Sequence, residues 1–146
     1  MKKMILLFLS IVAIQSTIKA DDDKPIRFEQ LPAQSQEMIK THFPKQSIAL
    51  VKMENDFFDK SYEVIFTNGS KVEFDKKGVW KEVDCKYTEL PVEIVPKQIR
   101  DYVTKNFPEA KIAQIEKEHK NRIEIKLSNG VDLDFDANFN LVDIDY

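Results

Sequence analysis

Residues 131–146 read VDLDFDANFNLVDIDY, and the fold turns on how that stretch is taken. Asp132, Asp134, Asp136, Asn138 and Asn140 occupy alternate positions, with Asp143 three residues further on. An EF-hand loop places oxygen ligands at positions 1, 3, 5, 7, 9 and 12, and these six residues fall on that ladder. Strict alternation is equally the mark of a half-buried strand, with Leu133 and Phe135 turned inward. Position 6 of the loop would be Ala137, where an EF-hand requires glycine for a sharp turn. Side chains two apart on an extended strand are roughly 6.6–6.8 Å apart, too far to share one ion without bending. The strand reading needs no metal; calcium held by Asp132, Asp134, Asp136, Asn138, Asn140 and Asp143 stands as the alternative.

The pattern recurs upstream. YEVIFTNGSKVEFD (62–75) matches IEIKLSNGVDLDFD (123–136) at an offset of 61, and LPAQSQEMIKTHFP (31–44) matches VPKQIRDYVTKNFP (95–108) at an offset of 64. VWKEVDC and NLVDIDY close the two copies. Proline opens each helical stretch where its missing N–H does no harm, and Phe-Pro ends it, because proline disfavours helical geometry in the residue before it. Ile99, Tyr102, Val103 and Phe107 recur at helical spacing; Ser35, Met38, Ile39 and Phe43 take their places in the first copy. After each helix come four short alternating stretches, the second ending in Asn-Gly, a strong hairpin signal. The expected fold is therefore α+β: two tandem units, residues 21–88 and 89–146, each a helix followed by a four-stranded antiparallel meander. Tyr62, Val64, Phe66, Val72, Phe74 and Val83, with Ile123, Ile125, Leu127, Leu133, Phe135, Val142 and Ile144, should face the helices.

MKKMILLFLSIVAIQSTIKA (1–20) has the layout of a secretory signal peptide, with cleavage expected after Ala20 and a periplasmic or secreted product. Its apolar run is too short for a comfortable span, so no membrane insertion is expected after cleavage. The chain holds 22 Lys+Arg against 25 Asp+Glu; without Lys2, Lys3 and Lys19 the balance is 19 against 25. Such an acidic chain does not favour nucleic acid. One cysteine, Cys85, rules out an internal disulfide, so the core alone must hold the fold.

The paired Phe-Pro helix ends, the Asn-Gly turns and the closing VDLDFDANFNLVDID resemble the PepSY-like family of exported bacterial proteins, also described as similar to β-lactamase-inhibitor proteins. The resemblance covers residues 28 to 146. It implies two α+β units whose sheets join into one concave surface with the helices behind, and, in the related inhibitors, a concave face that grips a partner enzyme. Those inhibitors carry disulfides that this chain cannot form, so β-lactamase inhibition is not carried over.

Catalytic signals are sparse. His42 and His119 lie in different copies, Cys85 has no histidine near it in sequence, and three glycines build no phosphate loop. The expected function is that of a non-enzymatic, cofactor-free binding or inhibitor-like module. It would offer a concave acidic face to a protein or peptide partner in the cell envelope, one with a basic surface among them. Glu116, Glu124, Asp132, Asp134, Asp136, Asp143 and Asp145 should share the face opposite the helices, offset by Lys126 alone. Strand alternation turns Trp80 outward beside Ile65, where it would serve as a binding anchor; a strand phase shifted by one would make it a core residue instead. Phe57 and Phe58, at a hairpin tip, suit either insertion into a partner's cleft or folding back to cover the sheet edge. The alternative function is a calcium-responsive envelope protein using the Asp132–Asp143 segment.

Overall fold

The computed structural model describes residues 23–146. The expected signal peptide and its cleavage point lie outside these residues.

Both helices form where proline and Phe-Pro bracket them. Helix α1 (Ala33–His42) follows Pro32 and ends as Phe43 leaves helical geometry, its N–H donating to the Ile39 carbonyl at 2.9 Å. Helix α2 (Lys97–Asn106) follows Pro96 and ends at Phe107 in the same way, bonded to Val103 at 2.7 Å. Nine strands surround them in sequence: β1 (Lys24–Pro25), β2 (Ile48–Asp56), β3 (Asp59–Phe66), β4 (Lys71–Phe74), β5 (Trp80–Asp84), β6 (Ile112–Lys117), β7 (Ile123–Leu127), β8 (Asp132–Phe135) and β9 (Leu141–Asp145).

The grouping of these strands corrects the expected fold. They form one nine-stranded sheet in the order β1 to β9, every neighbouring pair antiparallel. Over the described residues this is mostly a sheet fold with two ten-residue α-helices, not an α+β pair of helix-plus-four-strand units with their sheets joined. β5 and β6 pair as regularly as any neighbours, through Glu82↔Glu116, Val83↔Ile115 and Asp84↔Gln114. Alternation shows which face a residue takes but not which strand lies beside it. Continuous antiparallel pairing leaves only the outer sides of β1 and β9, among the described residues, with open backbone groups. β1 adds a strand that no alternation announced, since it is two residues long and ends in proline.

The core lies on the face that carries the helices. Val64, Val72, Phe74, Val83, Ile115, Ile125, Leu133 and Phe135 are buried there with Ile39, Ile99 and Val103. Phe43 stacks on Phe66 with ring centroids 4.9 Å apart, and Tyr102 meets Phe135 edge-on at 5.7 Å. Val142, expected to face the helices, is 54% exposed. The register slips between Asp134 and Phe135, which face Asp143 and Leu141, so Val142 is the extra residue of a β-bulge. Ile144, beyond the bulge, packs against the core as expected.

Two turns fasten the helices to the sheet. Asp75 Oδ1 accepts the N–H groups of Lys77 and Val79, and Asp136 Oδ1 accepts those of Asn138 and Asn140. The third turn residue is left-handed in each, Gly78 at φ 87° and Phe139 at φ 63°. Ser35, fully buried on α1, donates to the Gly78 carbonyl at 3.0 Å, and Gln98 of α2 donates to that of Phe139 at 3.2 Å.

Candidate functional site: an acidic row across the open face

Because the sheet is continuous, residues of the same pleat phase line up across it, perpendicular to the strands. On the face away from the helices one such line reads Lys52, Glu63, Glu73, Glu82, Glu116, Glu124, Asp134, Asp143, each opposite the next. Seven consecutive carboxylates thus cross from β3 to β9, over about 29 Å at the usual strand spacing. The neighbouring line reads Leu50, Ile65, Lys71, Asp84, Gln114, Lys126, Asp132, Asp145.

Cations neutralise the row unevenly. Lys52 Nζ lies 2.7 Å from Glu54, 3.0 Å from Asp23 and 3.8 Å from Glu63. Lys81 reaches Glu73 at 3.3 Å, Lys71 reaches Glu82 at 3.6 Å, and Arg122 reaches Asp134 at 2.9 Å. Lys126 bridges Glu124 and Asp132, both at 3.3 Å. Among the described residues, Glu116 and Asp143 have no cation within 4.0 Å. Burial pushes the Glu116 carboxyl above its ordinary range, and repulsion from Glu82, Glu124, Glu118 and Glu73 adds to the shift. Burial raises Glu63 as well, against the pull of Lys52 and Lys71. Lys126 is raised, chiefly by its hydrogen bond to Asp132.

The residues singled out from sequence fall into three places. Glu124, Asp132 and Asp134 stand on the open face with Glu116, Asp143 and Asp145, and Ile65 stands on it opposite Leu50 and Lys71. Asp136, Asn138 and Asn140 lie in the β8–β9 turn, where Asp136 is held below its usual range by the backbone hydrogen bond from Asn140. The calcium ladder is therefore divided between a sheet face and a turn. Phe57 and Phe58 form the two-residue tip of the β2–β3 hairpin, 96% and 94% exposed, with ring centroids 5.5 Å apart.

Trp80 is not on the open face beside Ile65. A bulge at Lys81 sets Trp80 opposite Phe74 rather than continuing the alternation from Glu82, so the indole packs partly against the core. Lys117 is an exposed residue whose ammonium is held below its ordinary range by desolvation, and its Nζ sits 3.6 Å from the ring centroid. Lys52, Glu63, Lys81 and Arg122 are the members of the face that were missed. Lys71, Glu73 and Glu82 are outward by the same alternation in β4 and β5, but strand order is needed to join them to the C-terminal aspartates.

Glu124, Asp132, Asp134, Asp143 and Asp145 surround a depression of about 140 Å³. Carboxylate oxygens suit a hard cation such as calcium. As they stand, no three His, Cys, Asp or Glu residues among those described are gathered to hold a metal ion. Among the described residues no helix is long and apolar enough to cross a membrane.

The family described as "Putative beta-lactamase-inhibitor-like, PepSY-like" matches residues 60–143. A solved "putative periplasmic protein" from Bacteroides vulgatus is 57% identical, covering 87% of this chain and 99% of its own, with a TM-score of 0.82. A "putative calcium-regulated periplasmic protein" from Bacteroides thetaiotaomicron is 58% identical, covering 86% and 98%, with a TM-score of 0.84. A second Bacteroides vulgatus periplasmic protein, of unknown function, is 34% identical over 85% and 99%, with a TM-score of 0.79. Comparison with curated proteins gives no match.

Proposed function

Since this chain belongs to the PepSY-like, β-lactamase-inhibitor-like family, we propose that it is a non-enzymatic exported module whose open sheet face docks a protein or peptide partner with a basic surface. The observation that carries this reading is the row of seven carboxylates. Like charges directly opposite each other on a sheet are destabilising, so a row of them works against folding. A cationic partner would relieve that repulsion on binding and would be steered to the face by its field. Glu116, Glu124, Asp132 and Asp134 supply the charge, Ile65 and Leu50 an apolar margin, and Phe57 and Phe58 a projecting tip. Trp80 has no part in this surface, being turned to the core and covered by Lys117. Periplasmic neighbours support an envelope location.

The test is capture of envelope proteins on immobilised protein, compared with a Glu82→Gln, Glu116→Gln, Glu124→Gln variant. A partner that is lost with the variant and eluted by salt supports the reading. An identical captured set from the two proteins would overturn it.

A second reading, a calcium-responsive envelope protein, is favoured by the description of the Bacteroides thetaiotaomicron neighbour and by the five carboxylates around one depression. Binding there would require Lys126 and Arg122 to give up their bonds to Asp132 and Asp134. At tenfold excess over its Kd, calcium would stabilise the fold by about 1.4 kcal/mol. Melting curves in millimolar calcium and in chelator that superimpose would exclude it.

A further inference from the structure

The acidic row ends differently at its two sides. At β2 it is closed by Lys52, opposite Glu63; at β9 it runs off the sheet at Asp143 with no cation. The sheet's edges differ likewise. β1 is a two-residue strand whose Pro25 lacks an N–H, which blunts that edge. β9 has five residues and no proline, and among the described residues nothing pairs with its outer side. Its outer backbone groups are a template for another strand, although the Ile144 N–H already donates to Asp143 Oδ1 at 3.0 Å and must be released from it if an added strand is to take it.

We propose that β9 is a strand-addition site for an extended peptide segment alternating basic and apolar residues. This deepens the partner-docking reading above and rests on it. The side-chain pattern of the edge names the occupant. Asp143 and Asp145 point to the open face, opposite Asp134 and Asp132, so a tenth strand would place lysine or arginine beside them. Lys52 does this at the far end of the same row. Ile144 turns to the core side, where the added strand would set an apolar residue, with exposed Tyr146 next to it. A second copy of this chain is a poor occupant. In any in-phase antiparallel pairing of β9 with β9, Asp143 or Asp145 faces an aspartate, which is repulsive. The Val142 bulge confines pairing to Asp143 onward, so the added strand is short and depends on its charges.

Hydrogen exchange of the protein is measured with two capped synthetic heptapeptides, one alternating lysine and valine, the other glutamate and valine. The lysine peptide is expected to slow exchange within Asp143–Tyr146 about tenfold or more, and the glutamate peptide to leave it unchanged. Asp143→Asn with Asp145→Asn should weaken the lysine peptide about tenfold, and Asp143→Lys with Asp145→Lys should transfer preference to the glutamate peptide. Glu82→Gln with Glu116→Gln, which weaken the field of the open face without touching the edge, should reduce β9 protection by the lysine peptide less than the β9 changes do. If those central changes abolish peptide binding while the β9 changes do not, the edge is not the site and docking on the open face stands. Protection of β9 without peptide, accompanied by a dimer, overturns the inference. Failure of the lysine peptide to bind at all overturns both readings.

Discussion

Glu116→Gln should stabilise this protein. Glu116 sits in the middle of β6 with Glu82 on one side and Glu124 on the other, and no described cation reaches it. Glutamine keeps the shape and removes the charge. Each like-charged cross-strand neighbour costs about 0.2–1 kcal/mol, which sums to about 0.4–2 kcal/mol for two. Glu116 is only part-buried, so screening holds the gain to about 0.4–1 kcal/mol. For a chain of this size that is a rise of about 1–4 °C in Tm. The sign with pH follows from the raised folded-state pKa. Below the ordinary glutamate range, about pH 4.3, Glu116 is neutral in both states and the variant has no advantage. As pH rises through the folded value, the wild type loses stability that the variant keeps. Urea unfolding at about pH 7.5 and about pH 3, in low and high salt, measures this; the gain should shrink in salt. Glu73→Gln is the control, because Lys81 already answers Glu73 at 3.3 Å. A gain that is absent at neutral pH in low salt, equal at pH 3, or matched by Glu73→Gln would refute the electrostatic account of the row.

Gly78→Ala should destabilise by about 2–4 kcal/mol in urea melts, since a Cβ at φ +87° would lie 2.5 Å from Pro32 Cβ and 2.7 Å from Ser35 Oγ. Gly130→Ala, at φ +90° with nothing within 4 Å, should lose only the backbone preference, about 1–2 kcal/mol. Cys85 is 2% exposed and burial pushes its thiol up, so alkylation should be slow in the native protein and should accelerate through the urea transition. Rapid labelling of folded protein would contradict that placement. Phe57→Ser with Phe58→Ser should leave stability within about 0.5 kcal/mol, because neither ring has core to lose; a larger drop in midpoint would mean that the tip folds back.

The stretches that form β2 to β9 were legible, and so were the inward residues Tyr62, Val64, Phe66, Val72, Phe74, Val83, Ile123, Ile125, Leu127, Leu133, Phe135 and Ile144, because a two-residue period has one physical reading. Both helices were legible from proline and Phe-Pro punctuation. Two things were not. Strand partners across the Cys85–Pro96 connection are set by long-range pairing, on which alternation is silent, so the β5–β6 ladder and the acidic row across it were not read from the residues. The bulges at Lys81 and Val142 add one residue to a strand and reverse the phase beyond it, which is why Trp80 and Val142 were each assigned to the wrong side. No turn residue announces such a slip. On the candidate site, the C-terminal aspartates were legible as a cluster, while their continuation through Glu82, Glu73 and Glu63 required the topology.

The regular pairing of β5 with β6 has a consequence for how the molecule comes apart. A protease nick in the exposed Lys86–Glu89 stretch would not liberate two working pieces, because the ladder would still clasp them. Expressed alone, either piece would display a raw central strand carrying Val83 or Ile115, and would precipitate or seek the other. Co-expressed, they should reassemble as a noncovalent whole.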